Sequence, residues 1–281
     1  MGATEITEQQ RRRLSHVKVP APGVDLARFP DFLIVGPQRT GTTWLHAMLR
    51  EHPEVFLSEP KELFYFSRLK QPDNPKFESD DLGWYLDFFR ERPLYYAYKQ
   101  AMALARHGRT YRARVRGEAT ASYAAIDRDV IEEITVLAPD VKVIMMVRNP
   151  VERAWSHAKK DLSRNRSRPL SDVTEQEFHD FFSDPYQLRC ARYAACIENW
   201  SSCLRDGNLL VGRFDDVSTR PEDFLRETCR FIGVSDERRY VPKSVGEAVN
   251  PTASSGVPDD HREFLEELLA EELAVWRERF A

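Results

Sequence analysis

Apolar residues along this chain fall into short unbroken runs separated by longer stretches of helical periodicity. The runs 32–35 (Phe-Leu-Ile-Val) and 141–147, with Val143-Ile144-Met145-Met146-Val147 nearly continuous, read as strands buried on both faces. Shorter strand candidates are 55–57, the strand end 115–120 that enters a loop, and 208–213. The pattern predicts helices over 43–51 (stopped by His52-Pro53), 82–89, 127–137 and 150–161, with Pro150 in the first turn of the last. Further helices are expected over 175–182, 190–205 and 221–232, and a long amphipathic one over 259–279. Residues 163–172 read as a basic, mobile insertion and 250–258 as a loop, while the aromatic-to-basic stretch 95–108 fits no element. Residues 1–30 read as a flexible arm and 31–281 as one domain. Strands alternating with helices predict an α/β fold, a doubly wound parallel sheet with helices on both faces. Ligands of such sheets sit outside the carboxyl ends of the strands, which places Arg39, Glu62, Glu118 and Arg148 along one rim.

The most informative stretch runs from Phe32 to Trp44. A strand leads into Gly36-Pro37-Gln38-Arg39-Thr40-Gly41, and Thr42-Thr43-Trp44 opens a helix. This is the strand–loop–helix of a phosphate-binding loop, in which backbone N–H groups and a helix N-terminus hold an anion. The two glycines have the spacing of the nucleotide-triphosphatase loop, but Thr42 stands where that loop has Lys, and the cation, Arg39, lies inside the loop. A magnesium-bound triphosphate is therefore a poor match. A second constellation follows the strand 141–147: Arg148 leaves its tip and Ser156 lies two turns into the next helix, so a guanidinium and a hydroxyl can grip a second phosphate.

Composition narrows the partners. A net charge of −4 argues against broad nucleic-acid binding. No run approaches the roughly 20 apolar residues of a membrane span, and no secretory signal follows Arg11-Arg12-Arg13, so a cytoplasmic location is expected. The cysteines Cys190, Cys196, Cys203 and Cys229 form no C-x-x-C pair; the first three are expected on one helix stripe. No metal site is read, and oligomeric state is not legible.

Taken together, the motifs resemble those of the sulfotransferases that use 3′-phosphoadenosine 5′-phosphosulfate (PAPS), with their phosphate-loop-like fold. Pro37 to Thr43 is similar to their 5′-phosphosulfate loop, in which Lys often stands where this chain has Arg39. Arg148 and Ser156 match the residues that hold the 3′-phosphate. Lys61-Glu62-Leu63-Phe64-Tyr65-Phe66, Gly83-Trp84-Tyr85, Gly117-Glu118-Ala119-Thr120 and Phe214-Asp215-Asp216 extend the resemblance over most of the chain. It implies a cofactor site of Arg39, Thr40, Gly41, Thr42, Thr43, Trp44, Arg148 and Ser156. Trp44 has two readings, adenine stacking or a core Trp. The C-terminal cofactor loop would be Ser254, Ser255 and Gly256, which lack the cation usual there; Arg189 is the candidate substitute.

In the heparan-type members the general base is a Glu just before an aromatic pair, which points to Glu62, set against Phe64 and Phe66. His46, His52 and His157 are the rivals. Phe64, Trp84, Tyr85, Glu118, Arg189 and Tyr193 are the expected contacts to a small-molecule or carbohydrate hydroxyl acceptor. The implied activity is sulfuryl transfer from PAPS, leaving the bisphosphate nucleotide PAP. The alternatives are a phosphate-loop small-molecule kinase and a non-catalytic nucleotide-binding relative.

Overall fold

The computed structural model describes residues 6–21, 23–247, 249 and 256–280. Five strands, β1 (Phe32–Val35), β2 (Val55–Leu57), β3 (Val115–Ala119), β4 (Lys142–Val147) and β5 (Leu209–Arg213), form one parallel sheet in the order β2-β3-β1-β4-β5. β1 lies at its centre, with Leu33 registered against Glu118 on one side and Val143 on the other. All four β1 side chains are buried because successive residues serve opposite faces. Leu33 and Val35, with Val143, Met145 and Val147, join one core; Phe32 and Ile34, with Ile144 and Met146, join the other. The unbroken apolar runs thus mark strands covered on both sides, and the doubly wound expectation holds.

The helices follow in order: α1 (Glu8–Arg11), α2 (Thr42–Glu51), α3 (Tyr65–Arg68), α4 (Leu82–Asp87), α5 (Pro93–His107), α6 (Arg128–Leu137) and α7 (Pro150–Ala158). Then come α8 (Glu175–Ser183), α9 (Pro185–Ala191), α10 (Tyr193–Ser201), α11 (Phe214–Thr219), α12 (Pro221–Ile232), α13 (Asp259–Leu268) and α14 (Ala270–Phe280). α2 and α12 cover one sheet face; α3, α4, α6 and α10 cover the other. A third core forms around α7, α8 and α13, beyond the sheet.

Several sequence expectations give way here. The helix expected over 190–205 is two, broken at Arg192 (ψ 63°), so Cys190 and Cys196 lie on different helices and form no common stripe. The long C-terminal helix is broken at Leu269, which keeps Leu265, Leu269 and Leu273 in the third core while Trp276 turns to Tyr193 in the first. The unplaced stretch is α5, whose Pro93 starts it and whose Gly108 (φ 62°) ends it. Segment 163–172 is fastened rather than loose: it contains two single helical turns, and Arg168 pairs with Glu177 at 2.6 Å on α8.

The described part of the expected flexible arm is also docked. Ile6, Val17, Leu26 and Phe29 are buried in the first core. The buried Glu133 carboxylate of α6 accepts the backbone N–H groups of Ser15, His16 and Val17, each at 2.9 Å. Replacing Glu133 by Ala strips three donors of their acceptor, and a loss of about 2–4 kcal/mol is expected in urea unfolding, with faster proteolysis at Arg11–Arg13. An unchanged midpoint and cleavage rate would show that this carboxylate does not fasten the arm.

Candidate functional site

The loops that follow the five strands converge on one cavity of about 760 Å³. Gln38 to Trp44 follow β1, Glu62 follows β2, Ala121 follows β3, Arg148 follows β4 and Phe214 follows β5. A parallel sheet brings all these strand ends to the same side, which is why residues so far apart in sequence meet.

The loop after β1 is held in a conformation that aims its amides inward. Gly36 (φ 143°), Arg39 (φ 77°) and Gly41 (φ 100°) all have positive φ. A Cβ on Gly36 would lie 2.5 Å from the Met146 carbonyl oxygen, so only glycine fits there. Thr40, fully buried, donates its hydroxyl to the Pro37 carbonyl at 2.8 Å and closes the loop. Its side chain is therefore committed to the loop, and its backbone N–H is what it can offer an anion. Gly41 caps α2 without any side-chain hydrogen bond, so the first amides of α2 remain available to an anion.

Around this loop stand the cations. Arg39 donates through Nε to the Ser156 hydroxyl at 2.9 Å, and Arg148 donates through Nη1 to the Arg39 carbonyl at 3.3 Å. Arg148 is held over the Phe214 ring at 4.3 Å, and its Nη2 reaches Glu152 at 3.2 Å. Its Nε is buried without a hydrogen-bond partner. Burial, then Arg148 and Arg164, lower the pKa of Arg39; burial, then Arg148 and Arg39, lower that of Lys159. Like charges are thus crowded together in a half-buried cleft, the electrostatic condition for binding an anion.

Sequence reasoning missed part of this set. Lys159, Lys160, Trp155 and Gln38 line the cavity, as does Arg164 of the basic insertion. After Ala158 the helix widens into a π-helical turn, Lys159–Ser163, which continues the face that carries Ser156. The signal was available: Lys159 and Lys160 lie three and four residues beyond Ser156, hence on its side of a helix. They bring to the cavity two cations of the kind sought in place of the missing C-terminal one, whereas Arg189 is exposed and lies outside the cavity. Ser254 and Ser255 lie outside the described residues; Gly256 and Val257 line the cavity. Trp44 lines it too, with its ring stacked on Phe224 at 6.1 Å and its indole N–H given to the Val245 carbonyl at 3.1 Å.

Glu62 lies in the cavity wall, in a loop where both it (φ 69°) and Phe64 (φ 57°) adopt the left-handed backbone that non-glycine residues avoid. Its carboxylate is not packed against Phe64 and Phe66 as expected. Instead it pairs with Lys61 and accepts the Ala121 N–H at 3.1 Å, with a quarter of the side chain exposed. The rival bases lie elsewhere: His46, His52 and His157 are each lowered to about 4, chiefly by burial, and none lines the cavity.

The expected acceptor contacts are corrected. Glu118 is fully buried between β1 and β2, so it has no surface to offer a ligand. It accepts the Tyr85 hydroxyl and, at 2.6 Å, the Thr120 hydroxyl. Tyr85 is likewise buried, Trp84 stacks on Tyr65 and meets Phe88 edge-on, and Phe64 lies under Arg68; none of them lines the cavity. Tyr193 is buried, and its hydroxyl accepts the Arg148 backbone N–H at 3.4 Å, which makes it a support for that arginine. Among the described residues, no group of three His, Cys, Asp or Glu is placed to hold a metal.

Comparison with known proteins gives these observations a family. Residues 30–238 match the model described as the Sulfotransferase family. The human bifunctional heparan sulfate N-deacetylase/N-sulfotransferase 2 is 26% identical over 222 residues, 76% of this chain but 23% of that protein. The chain therefore spans about a quarter of such relatives. The membrane-associated sulfotransferase kil1 of Dictyostelium discoideum is 27% identical over 165 residues, 58% of this chain and 30% of its own. A solved sulfotransferase from Alicyclobacillus acidocaldarius superposes with a TM-score of 0.57 at 25% identity, covering 87% of this chain and 93% of that one. Among the described residues, no helix is long and apolar enough to cross a membrane.

Glu118 generates a pH prediction. Burial raises its pKa from 4.5 to about 7. The folded state then holds a proton that the unfolded state releases, so stability is highest below pH 4.5 in this respect and falls as pH rises to about 7. The contribution is roughly 3 kcal/mol. Glu118→Gln removes it: urea unfolding at pH 5 and pH 7.5 is expected to give a smaller stability difference in the variant. Equal differences in both proteins would contradict the assignment.

Proposed function

This chain belongs to the sulfotransferase family, and we propose on that footing that it moves a sulfuryl group from PAPS to an acceptor hydroxyl by in-line displacement. One observation carries the reading. Two anion grips, the Arg39 loop and the Arg148–Ser156 pair, are joined by direct hydrogen bonds on one wall of a cavity whose opposite strand end presents Glu62. The cavity, at about 760 Å³, lies within the size range of small-molecule and cofactor sites. Its donor set suits a nucleotide with an anion at each end.

In this mechanism the loop amides and Arg39 hold the 5′-phosphosulfate, while Arg148 and Ser156 hold the 3′-phosphate. Bound PAPS supplies the activated sulfuryl group. Arg39 and the first amides of α2 neutralise the charge that develops on the 5′-phosphate as the S–O bond breaks, and Lys159 and Arg164 add to that field. Thr42 and Thr43 line the same helix end. Glu62 removes the proton of the attacking hydroxyl, and its two contacts, Lys61 and the Ala121 N–H, fix its direction. Trp44 lines the nucleotide's cavity while remaining a buried core residue.

The acceptor is a small molecule or carbohydrate. The N-sulfotransferase named among the relatives favours a second reading, in which an amine takes the hydroxyl's place before the same carboxylate. A screen of hydroxyl and amino-sugar acceptors with labelled PAPS separates the two. The four cysteines are unpaired thiols, as is usual in a reducing compartment, which supports the cytoplasmic location expected from sequence.

Glu62→Gln is expected to leave PAP affinity intact while cutting turnover on the order of 10²-fold or more; normal turnover would remove Glu62 as the base. Arg148→Ala is expected to weaken PAP binding by about 1–3 kcal/mol in calorimetry. Unchanged affinity there would place the 3′-phosphate elsewhere.

A further inference from the structure

The loop that carries Glu62 is held by one short stretch of chain after β3. The Glu62 N–H donates to the Ala119 carbonyl at 3.0 Å, the Leu63 N–H to the Thr120 hydroxyl at 3.1 Å, and the Phe66 N–H to the Tyr123 hydroxyl at 3.2 Å. In return the Ala121 N–H donates to the Glu62 carboxylate. The two hydroxyl contacts each bridge 57 residues, so segments 62–66 and 119–123 lie side by side in a fixed register. Glu62 and Phe64 hold left-handed backbone within the first segment, a conformation that persists where the surroundings impose it.

Glu118 is the hub of those surroundings. Its carboxyl oxygens accept the hydroxyls of Thr120, Tyr85 and Tyr123. The direction of the bonds follows from the groups themselves. A backbone N–H can only donate, so Thr120 and Tyr123 each spend a lone pair on the loop and keep their hydrogen for Glu118. Each hydroxyl is thus a relay that accepts from the loop and donates to the carboxyl, and bonds in such a chain reinforce one another. Tyr85 differs, because its hydroxyl reaches Glu118 but no amide of the loop. All four side chains are fully buried, so water cannot replace a bond that is lost.

We propose that Glu118 is a positioning residue for sulfuryl transfer: through the Thr120 and Tyr123 hydroxyls it fixes the loop conformation that directs the Glu62 carboxylate into the cavity, a role that rests on Glu62 being the base. The nucleotide grips stand on other segments, the loop after β1 and the start of α7. Loosening the relays therefore changes turnover and leaves nucleotide affinity in place. A merely structural acid would show no such division, since its loss would weaken the fold without favouring either wall.

Steady-state kinetics, PAP calorimetry and amide exchange by NMR test this division. Thr120→Val removes one relay and Tyr123→Phe the other. Each is expected to lower kcat on the order of tenfold or more, with KM for PAPS and PAP affinity unchanged. The Leu63 amide is expected to exchange faster in the first variant and the Phe66 amide in the second. Thr120→Ser, which keeps the hydroxyl, is expected to keep the rate. Tyr85→Phe takes a bond of the same kind from Glu118 outside the relays, so it is expected to lower stability as Thr120→Val does while retaining most of kcat. Glu118→Gln is expected to match the slower relay variant, and adding Thr120→Val to it to cost little more, because both act through one chain of bonds. Equal losses of kcat in Tyr85→Phe and Thr120→Val would overturn the proposal by reducing Glu118 to a stabiliser of the fold. A loss confined to nucleotide affinity would do the same. Fully active relay variants beside an inactive Glu62→Gln overturn the role of Glu118 alone, whereas normal turnover in Glu62→Gln removes the base and this role with it.

Discussion

Mutual repulsion among cations is the condition around which this molecule is built. Arg39, Arg148, Lys159 and Arg164 share one cleft, and two of them lose basicity through burial and through each other. Left to themselves, flexible side chains of like charge separate into solvent. Here the Ser156 hydroxyl fixes Arg39, the Phe214 ring and the Arg39 carbonyl fix Arg148, and helix packing fixes the backbone behind Lys159. The cleft thus holds its cations in place before any ligand arrives, so an incoming dianion meets groups that need little reorganisation.

The opposite wall works by a different principle. Glu62 is positioned less by charge than by a strained backbone set on a buried polar frame. The Glu62 N–H bonds the Ala119 carbonyl at 3.0 Å, the Leu63 N–H bonds the Thr120 hydroxyl at 3.1 Å, and Thr120 in turn bonds Glu118. Glu118 is therefore connected to the chemistry through the loop it braces, not through contact with an acceptor. Tyr85 and Tyr123 complete the frame from α4 and from the turn Ala121–Ala125. Such a frame resists displacement of the carboxylate while leaving its quarter-exposed tip free to meet a substrate.

What the sequence disclosed follows from how local each signal is. β1 and β4 are continuous apolar runs, and the glycine spacing of the first loop is fixed by the turn itself, so both were legible without a fold. Arg39, Arg148, Ser156 and Glu62 were legible because each leaves a strand end or follows one closely, and the parallel sheet then collects them. Glu118 was misplaced because its residue type suggests a surface, whereas the sheet's centre buries it; only tertiary structure decides that. The arm was misread for the same reason, since its anchor, Glu133, lies more than a hundred residues away. Lys159 and Lys160 were overlooked in a stretch where charge alone suggested solvent.

The widened turn after α7 has a consequence for how this cleft can change. In a regular helix each residue is rotated by about 100° from the last, so a single residue gained or lost swings every later side chain to a new direction. The turn Lys159–Ser163 holds such an extra residue just before Arg164, which lines the cleft. One deletion there would swing Arg164 out of the cleft while leaving the sheet, the first loop and Arg148 in place. The strength of the nucleotide's electrostatic hold is thus written partly in the chain's count of residues rather than in their identity, a kind of variation that comparing aligned side chains would pass over.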